Sequence, residues 1–390
     1  MKNVLLLSSV MIEKEFVTYQ SMCNLKPNPS NQNFYARLLK ALNVNHNVSV
    51  ISHRPFAKNM LNEKYLVQRT TINGRNHFYY TFVSYTKGYK LFKEQSSIME
   101  MIDQAVRDFN SREFVIVVDT LRYGLLKAAL KAKSKYRVKV IGMLTDNPQN
   151  ISNVSSGYVK KILSKASNLD GYLSLTEGLN NVFNKHNKPH YTFEGLVDEQ
   201  LELKNEPIDN YYFFAGSLYE RYGVKTLIDA FKESSIYDKL LIAGNGPLFR
   251  YLFDLEKKDS RILYLSQLSK EKVYSFEKNA IANINPRPLN SKLDEESVPS
   301  KLLEYLASGK PTISTKHPKL YEIFKNDVFW IEDDSKEGIK KALEEFSGSN
   351  KLKLKKMAST ALVKVYELYG TNEQGKSISH FINSLSKSEK

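Results

Sequence analysis

The chain has 390 residues, of which 42% are apolar and 25% are charged, and this composition excludes disorder over most of its length. Its length exceeds the size at which a single core keeps growing, so we expect two domains. The formal net charge of +15 leaves nucleic acid, an anionic membrane surface and anionic substrates open as partners. The single cysteine, Cys23, excludes an intrachain disulfide and favours a reducing, cytoplasmic setting.

In the first half of the chain, apolar runs rich in β-formers alternate with helical patterns. The run at 4–7 is short and is soon followed by Glu13, Lys14 and Glu15, which favours a buried strand over a signal peptide. Further strands are predicted at 48–51, 114–118, 138–144 and 171–175, and helices at 34–42 and 98–109. This alternation predicts a parallel sheet with crossover helices. No apolar run approaches the roughly 20 residues needed to span a bilayer.

Two stretches of this half are basic. Residues 127–139 carry six positive charges and no acidic side chain, which fits either a solvated helix face or contact with an anionic surface. In 158–166, four apolar side chains share one helical face while three lysines lie off it. A short basic amphipathic helix of this kind predicts peripheral contact with an anionic membrane.

The pattern begins again in the second half, with strands predicted at 211–215, 240–243, 262–265, 280–284 and 311–314. A polar segment that contains Pro207 separates the two series and is interpreted as a linker. The predicted organisation is an N-terminal domain at 1–198, a linker at 199–210, a C-terminal domain at 211–370 and a terminal helical segment at 371–390. The predicted fold class is α/β, with two doubly wound Rossmann-like domains facing across a cleft.

Several common functional signatures are absent from the sequence. There is no Gly-x-x-x-x-Gly-Lys-Ser/Thr phosphate loop, no His-Glu-x-x-His and no Asp-x-Asp, and the seven histidines have no metal-ligand spacing. The sequence Gly244-Asn-Gly246 lacks the third glycine of a dinucleotide fingerprint and is interpreted as a turn at a strand end. We therefore expect no cofactor and no bound metal.

The most informative stretch is 296–311, Glu-Ser-Val-Pro-Ser-Lys-Leu-Leu-Glu-Tyr-Leu-Ala-Ser-Gly-Lys-Pro. Pro299 suits the first turn of a helix, and Gly309 with Pro311 ends it. The helix follows a predicted strand and the loop 285–288, so its N-terminus is expected at the carboxyl edge of the sheet. Free N–H groups and the helix dipole make that N-terminus a site for a pyrophosphate.

Two glutamates, Glu296 and Glu304, flank this predicted phosphate site. One stands just before the helix and the other about one and a half turns into it, at about 1.5 Å of rise per residue. One carboxylate is then placed to accept hydroxyls from a sugar and the other from a ribose. The alternative interpretation is a capped amphipathic helix with a solvated glutamate.

Glu296-x7-Glu304, with Pro-Ser-Lys between the two and Tyr-Leu-Ala-Ser-Gly-Lys-Pro after them, resembles the donor-site signature of retaining glycosyltransferases of family four. Residues 214–231, with Gly216 and Gly223, are similar to that family's first strand, glycine loop and helix. Residues 241–247 are similar to its second strand and turn. The resemblance covers the C-terminal domain and implies the GT-B fold, in which a terminal helix commonly crosses back to the N-terminal domain.

The resemblance also implies roles for the matching residues. Glu296 is expected to contact the donor sugar as the catalytic carboxylate, and Glu304 the ribose. The other donor-binding residues are expected in the glycine loop, in the second turn, after the fourth strand and at the helix N-terminus, where amides bind the diphosphate: Gly216, Ser217, Arg221, Gly244, Arg287, Ser297, Val298, Pro299, Ser300 and Lys301.

The sequence departs from the family in its basic residues. The family often has an arginine just after the first glycine and a lysine five positions later, whereas this chain has Ser217 and Tyr222 there. Arg221 and Arg287 are the candidates to take over the phosphate charge, and a plain surface role is the alternative for Arg221.

A second departure lies in the N-terminal domain, where the family has a catalytic-site histidine after a strand. Here the predicted strand is followed by Thr145-Asp146-Asn147, without a histidine. Asp146 is therefore the second catalytic candidate. It either orients an acceptor hydroxyl or caps a helix.

The resemblance predicts a retaining, metal-independent transferase that moves a hexose or N-acetylhexosamine from a UDP-type nucleotide sugar to a glycan acceptor in bacterial polysaccharide or glycoconjugate synthesis. The expected partners are the nucleotide sugar, a lipid-linked sugar or other glycan, and an anionic membrane surface. The expected location is the cytoplasm, with peripheral attachment to the inner membrane face. The alternatives are a non-catalytic GT-B partner subunit that binds glycan or assists an active transferase, and a sugar-nucleotide epimerase of the same fold. No motif supports nucleic-acid binding.

Overall fold

The computed structural model describes residues 1–24, 27, 29–56, 60–62, 64–84, 90–111, 113–151, 154–198, 208, 210–289 and 291–385, without the side chains of 90–92 and 291–293. The predicted linker at 199–210 lies outside the described residues except for 208 and 210, as do residues 386–390 of the terminal segment.

The chain divides into two compact units. The first comprises Met1–Leu196, Glu295–Ser297 and Thr371–Lys390, and the second comprises Val197–Asp294 and Val298–Gly370. Residues 295–297 were expected inside the C-terminal domain, but their contacts group them with the first unit.

The elements of residues 1–196 alternate between strand and helix over most of their length. The strands are β1 Lys2–Ser8, β2 His46–Ser52, β3 Tyr65–Leu66, β4 Arg69–Asn73, β5 Asn76–Tyr80, β6 Val83–Ser84, β7 Phe114–Asp119, β8 Lys139–Leu144, β9 Gly171–Ser174 and β10 His190–Thr192. The helices are α1 Glu13–Met22, α2 Ser30–Asn43, α3 Lys90–Asp108, α4 Tyr123–Tyr136, α5 Ser156–Ala166 and α6 Glu177–Phe183, with a 3-10 turn at Pro148–Asn150.

The remaining elements follow the same alternation. The strands are β11 Tyr211–Ala215, β12 Lys239–Ala243, β13 Ile262–Tyr264, β14 Ala282–Asn285, β15 Thr312–Thr315 and β16 Phe329–Ile331. The helices are α7 Val224–Glu233, α8 Phe249–Glu256, α9 Lys270–Asn279, α10 Ser291–Glu296, α11 Ser300–Ala307, α12 Pro318–Phe324, α13 Lys336–Ser347, α14 Lys351–Tyr369 and α15 Thr371–Ser384, with a 3-10 turn at Glu220–Tyr222.

The main sheet of the first unit has the order β10-β9-β8-β7-β1-β2-β5-β4. All neighbours are parallel except β4, which runs antiparallel to β5 at the edge. Strand β4 was not predicted because its Arg-Thr-Thr-Ile-Asn sequence is polar and mostly exposed, as an edge strand can be. In β1, Val4 and Leu6 face one core cluster while Leu5 and Leu7 face the other. A strand buried on both faces reads as a continuous apolar run, which is why the sequence marked it clearly.

Helices α5 and α15 both pack within the first unit. In α5, Ile162 and Ala166 are fully buried in the core, so the apolar face of this basic helix packs inside the unit and does not face solvent. The terminal helix α15 packs on α2, where a side chain at Gly375 would meet the carbonyl oxygen of Ala41 at 2.4 Å. The missing side chain at this position therefore allows the two helices to approach closely.

The sheet of the second unit has the order β13-β12-β11-β14-β15-β16, with every neighbour parallel. In order of appearance within this unit the strands lie as 3-2-1-4-5-6, which is the arrangement of a dinucleotide-binding Rossmann sheet. The order reverses between β11 and β14. The crevice beyond the carboxyl ends of these two strands is therefore the expected ligand position of the unit.

Candidate functional site

Two loops leave the carboxyl ends of β11 and β14 and meet at Gly223. This glycine has φ of +75°, and a Cβ there would lie 1.9 Å from the carbonyl oxygen of Pro286 and 3.2 Å from Cδ of Pro288. No other residue type fits both the left-handed backbone and the contact with a neighbouring backbone. Gly223 therefore fixes the distance between the two loops that border the crevice.

A second close approach joins the loop after β11 to the turn after β12. Gly244 has φ of +144°, and a Cβ there would lie 1.8 Å from the carbonyl oxygen of Gly216. The Leu218 N–H donates to the carbonyl oxygen of Asn245 at 3.0 Å, which holds the same two segments together. The structure thus places the predicted donor residues Gly216 and Gly244 side by side, with Ser217 half-buried between the strand end and the turn.

Helix α11 follows β14 and α10 in the chain, and Pro299 is its N-cap. Pro299 supplies no side-chain hydrogen bond to the first turn, so the helix presents its own N–H groups and the positive end of its dipole. Ser300 is exposed, while Ser297 and Val298 are half-buried before it. A helix N-terminus of this kind can receive an anion, and the diphosphate-binding role of these residues stays a prediction.

Lys301 and Glu304, both named from the sequence as donor residues, form an ion pair. Lys301 Nζ lies 2.5 Å from Glu304 Oε2 and 3.6 Å from Glu277 Oε1. The Glu277 side chain is fully buried, that of Glu304 is 10% exposed, and that of Lys301 is 35% exposed. Burial lowers the pKa of Lys301, but the carboxylates of Glu304 and Glu277 outweigh it and hold that pKa above its ordinary value. The Lys301 ammonium group, in the first turn of α11, therefore lies between two carboxylates.

A buried tyrosine ties α11 to the end of β11. The Tyr305 hydroxyl accepts a hydrogen bond from the Ala215 N–H at 2.9 Å and lies 3.3 Å from the Ala215 carbonyl oxygen, to which it donates. Burial raises the pKa of this hydroxyl, so it stays protonated and keeps its donor. The side chain fixes the position of α11 relative to the first strand of the unit.

The two arginines named from the sequence occupy different environments. Arg221 is exposed, with its guanidinium 5.1 Å from the ring centroids of both Tyr219 and Tyr222. Arg287 is largely buried, and its Nη2 lies 3.3 Å from Asp294 Oδ1. Burial lowers the pKa of Arg287, and the charge of Asp294 opposes that effect. Arg221 remains accessible to an anion, whereas Arg287 already has a carboxylate beside it.

Glu296 stands before α11 and is the last residue of the short helix α10, which the sequence did not predict. It is half-buried, and its carboxylate accepts two amide hydrogen bonds. Asn147 Nδ2 donates to Oε1 at 3.0 Å, and Asn150 Nδ2 donates to Oε2 at 2.8 Å. All three residues belong to the first unit. The two amides hold the Glu296 carboxylate in a fixed orientation.

The carboxyl edge of the first sheet carries two further carboxylates. Asp119 ends β7, is buried, and accepts from the Leu121 N–H at 3.0 Å, with Arg122 Nε at 3.5 Å. Burial raises the pKa of Asp119, while Arg122, the Leu121 N–H and the Tyr35 hydroxyl lower it. Asp119 thus lies among groups that partly offset the cost of burying its charge.

Asp146 follows β8 and keeps its side chain open to solvent. The surrounding protein reduces its hydration, and together with the charge of Asp119 this raises the pKa of Asp146 to about 6. The neighbouring Asn147, and not Asp146, caps the 3-10 turn by accepting from the Gln149 N–H at 3.0 Å. The capping alternative therefore belongs to Asn147, and Asp146 is left with the acceptor role as its functional candidate.

The sequence of the second unit matches a known family. Residues 198–361 match the family described as Glycosyl transferases group 1. This group 1 segment contains the crevice, α11 and every donor-binding residue named from the sequence. The comparison with curated proteins gives no match.

Solved structures resemble the whole chain. A sucrose-phosphate synthase from Thermosynechococcus elongatus is 12% identical with a TM-score of 0.70, and the match covers 100% of both chains. Trehalose-6-phosphate synthase OtsA is 10% identical with a TM-score of 0.70 and 99% coverage of both chains. HepE of Anabaena in complex with UDP-glucose is 13% identical with a TM-score of 0.61, covering 98% of this chain and 100% of the other. At these identities the similarity shows the fold, and the prediction of a GT-B fold with two Rossmann-like domains is confirmed.

Several residues of the group 1 segment and its surroundings escaped the sequence analysis. Glu277 lies 24 positions before Lys301, and nothing in its local pattern distinguishes it from other helical glutamates. Asn147 was visible only as a polar residue after a strand, and Asn150 carried no signal. Among the described residues, no group of three or more His, Cys, Asp and Glu side chains is arranged to hold a metal ion, and no helix is long and apolar enough to cross a membrane.

Proposed function

We propose that this protein is a retaining glycosyltransferase that moves a hexose or N-acetylhexosamine from a UDP-type nucleotide sugar to a glycan acceptor. The observation that carries the proposal is the crevice between β11 and β14 with the uncapped start of α11 beside it, within a segment that matches glycosyl transferases group 1. The similarity of the fold to HepE, which was solved in complex with UDP-glucose, supports a uridine nucleotide as the donor.

The donor residues act by binding and orientation. The N–H groups from Ser297 to Ser300 receive the diphosphate at the positive end of α11. Glu304, which Lys301 holds in place, accepts hydroxyls of the ribose, and Glu296 accepts hydroxyls of the sugar. The amides of Asn147 and Asn150 keep the Glu296 carboxylate oriented, so that little reorganisation is needed when charge develops on the sugar.

The diphosphate is neutralised by helix amides and by arginine rather than by a metal ion. Arg221 is the accessible cation, and its position over two tyrosine rings restricts its rotamers without occupying its N–H donors. The reaction then needs no metal, and activity persists after exhaustive chelation. A requirement for magnesium or manganese that is restored by adding the ion would contradict this part of the proposal.

The acceptor belongs to the first unit, where Asp146 orients its hydroxyl. An exposed carboxylate at the carboxyl edge of the sheet, with a pKa near 6, is ionised at neutral pH and accepts a hydrogen bond from the attacking hydroxyl. We propose a lipid-linked sugar in bacterial surface-polysaccharide synthesis as the acceptor, with peripheral attachment of the first unit to the inner membrane face. The exposed lysines of α5 support this attachment through their charge. The apolar face of α5 does not contribute to it, because that face is buried in the core.

A second candidate function is a non-catalytic GT-B partner subunit that binds glycan. It is favoured by the ion pairs near α11, because Lys301 already pairs with Glu304 and Arg287 already lies beside Asp294. Ser217 and Tyr222 also replace the basic pair that related enzymes often carry. The retained Glu296 and Glu304 favour the enzyme.

The test is a panel of nucleotide sugars assayed for slow hydrolysis and for transfer, with and without a chelator. Glu296→Gln should lower turnover by well over tenfold, which corresponds to about 1.4 kcal/mol or more of barrier. The matched control is Glu295→Gln, since Glu295 is the adjacent and exposed carboxylate, and it should keep full activity. Nucleotide binding without hydrolysis of any donor would support the partner subunit, and full activity of Glu296→Gln would refute the assigned role.

A further inference from the structure

A cavity of about 580 Å³ opens in the first unit, away from the residues of the proposed function. Its lining comprises Met1, Lys2, Asn45, His46, Lys376, Ser379, His380 and Asn383. Lys2 and His46 are the first residues of β1 and β2 and are register partners. The cavity therefore lies at the amino-terminal edge of the sheet, whereas Asp119 lies at the carboxyl edge, roughly 20 Å away along a seven-residue strand.

The charge of the lining has one sign. It contains two lysines and two histidines together with three neutral residues that donate hydrogen bonds, and no residue of the lining is acidic. Lys376 pairs with Glu373 at 2.6 Å outside the lining. A cavity with several donors, cationic side chains and no carboxylate is complementary to an anion with several acceptor oxygens.

His46 gives the second, independent observation. Its residue surface is only 1% exposed, and neither ring nitrogen has a hydrogen-bond partner among the described residues. A buried imidazole N–H without an acceptor costs folding free energy. An anion that enters the cavity and accepts from this nitrogen would remove that cost.

We propose that this cavity binds a soluble phosphate monoester, such as a phosphorylated sugar, at a site separate from the transfer reaction. The volume falls within the range of roughly 300–1,000 Å³ that small-molecule sites occupy, and it exceeds what a bare phosphate fills. The phosphate oxygens accept from His46, Lys2 and Lys376, and the organic part contacts Asn45 and Asn383. Because α15 provides half of the lining, an occupied site ties α15 to the ends of β1 and β2.

The pKa of His46 supplies a site-specific readout. Burial and the charge of Lys2 lower the pKa of His46 to about 4. A bound dianion favours the imidazolium and should raise that pKa by about one to three units. The experiment uses the full chain with isotope-labelled histidine, and the His46→Gln variant identifies the resonance. Inorganic phosphate and glucose 6-phosphate are the probes, with sodium chloride at matched ionic strength as the control.

Affinity measured by calorimetry provides the second arm, which does not depend on His46 variants. Lys2→Gln and Lys376→Gln should each weaken glucose 6-phosphate binding about tenfold. Lys131→Gln should not, because Lys131 is an exposed lysine of α4 outside the lining. Equal affinity in all three variants, or an equal His46 shift with sodium chloride, would overturn the proposal. Binding only to vesicles that contain phosphatidic acid, without binding of either soluble probe, would overturn the soluble ligand as well.

Discussion

Replacing Gly223 by alanine tests whether the two loops beside the crevice must touch. The new Cβ would stand 1.9 Å from the Pro286 carbonyl oxygen, about 1.5 Å inside an ordinary contact. The obstacle is backbone, and prolines on both sides of Arg287 stiffen it. The loop after β14 must therefore move by more than an ångström, or Gly223 must leave its left-handed conformation.

The expected magnitude has two parts. A left-handed backbone costs a residue with a Cβ about 1–2 kcal/mol, and forcing extra volume into a packed contact adds about 1–3 kcal/mol. The variant should therefore lose about 2–5 kcal/mol of unfolding free energy. A misplacement of about 1 Å in a substrate-positioning loop also lowers kcat/KM by about a hundredfold.

Gly309→Ala is the matched control for the backbone part alone. Gly309 has φ of +72°, almost that of Gly223, and its nearest neighbour is a methyl group of Leu362 at 3.2 Å, which is free to move. We expect this variant to lose about 1–2 kcal/mol and to keep its activity. Gly348→Ala, at a glycine without positive φ and with no atom closer than 3.8 Å, should change neither quantity.

The assay is urea unfolding followed by tryptophan fluorescence, with donor hydrolysis measured in parallel. The chain has one tryptophan, Trp330 in β16, so the signal reports on the second unit, where all three glycines lie. If Gly223→Ala is no less stable than Gly309→Ala and its kcat/KM is unchanged, then the contact with Pro286 does not hold the site and the reasoning fails.

Three further outcomes are expected. Lys301→Met should lose about 2–4 kcal/mol in the same unfolding assay because it removes the ammonium that lies between the carboxylates of buried Glu277 and Glu304, and adding Glu277→Gln should recover part of the loss; a change below about 0.5 kcal/mol in the single variant would refute the pairing. Because the pKa of Asp146 is raised to about 6, transfer should rise as pH increases through 6 and then level off, and Asp146→Asn should lack that rising limb. Binding to anionic vesicles should fall steeply with salt and weaken on charge reversal at Lys160, Lys161 and Lys165, with donor hydrolysis unchanged; indifference to such vesicles at low salt would exclude membrane attachment.

The sheet-forming runs and the helix that begins at Ser300 could be predicted from the sequence alone. These features are local, because burial on both faces makes β1 and β11 continuous apolar runs and proline before a leucine-rich face marks a helix start. The order of the motifs also identified the GT-B fold. The strands β3 and β6 left no such signal because two residues are too few to show a periodicity, and the edge strand β4 left none because it is polar and mostly exposed.

The contacts of the charged side chains could not be predicted from the sequence, because they depend on how distant segments pack. Lys301 forms an ion pair with Glu277, and the Glu296 carboxylate accepts hydrogen bonds from amides almost 150 positions earlier in the chain. Both contacts arise from the way in which strands and helices pack. The same packing buried the apolar face of α5, which the sequence alone assigned to a membrane. Hydrophobic periodicity fixes which face of a helix is apolar, but whether that face meets a core or a bilayer depends on the neighbours that folding supplies.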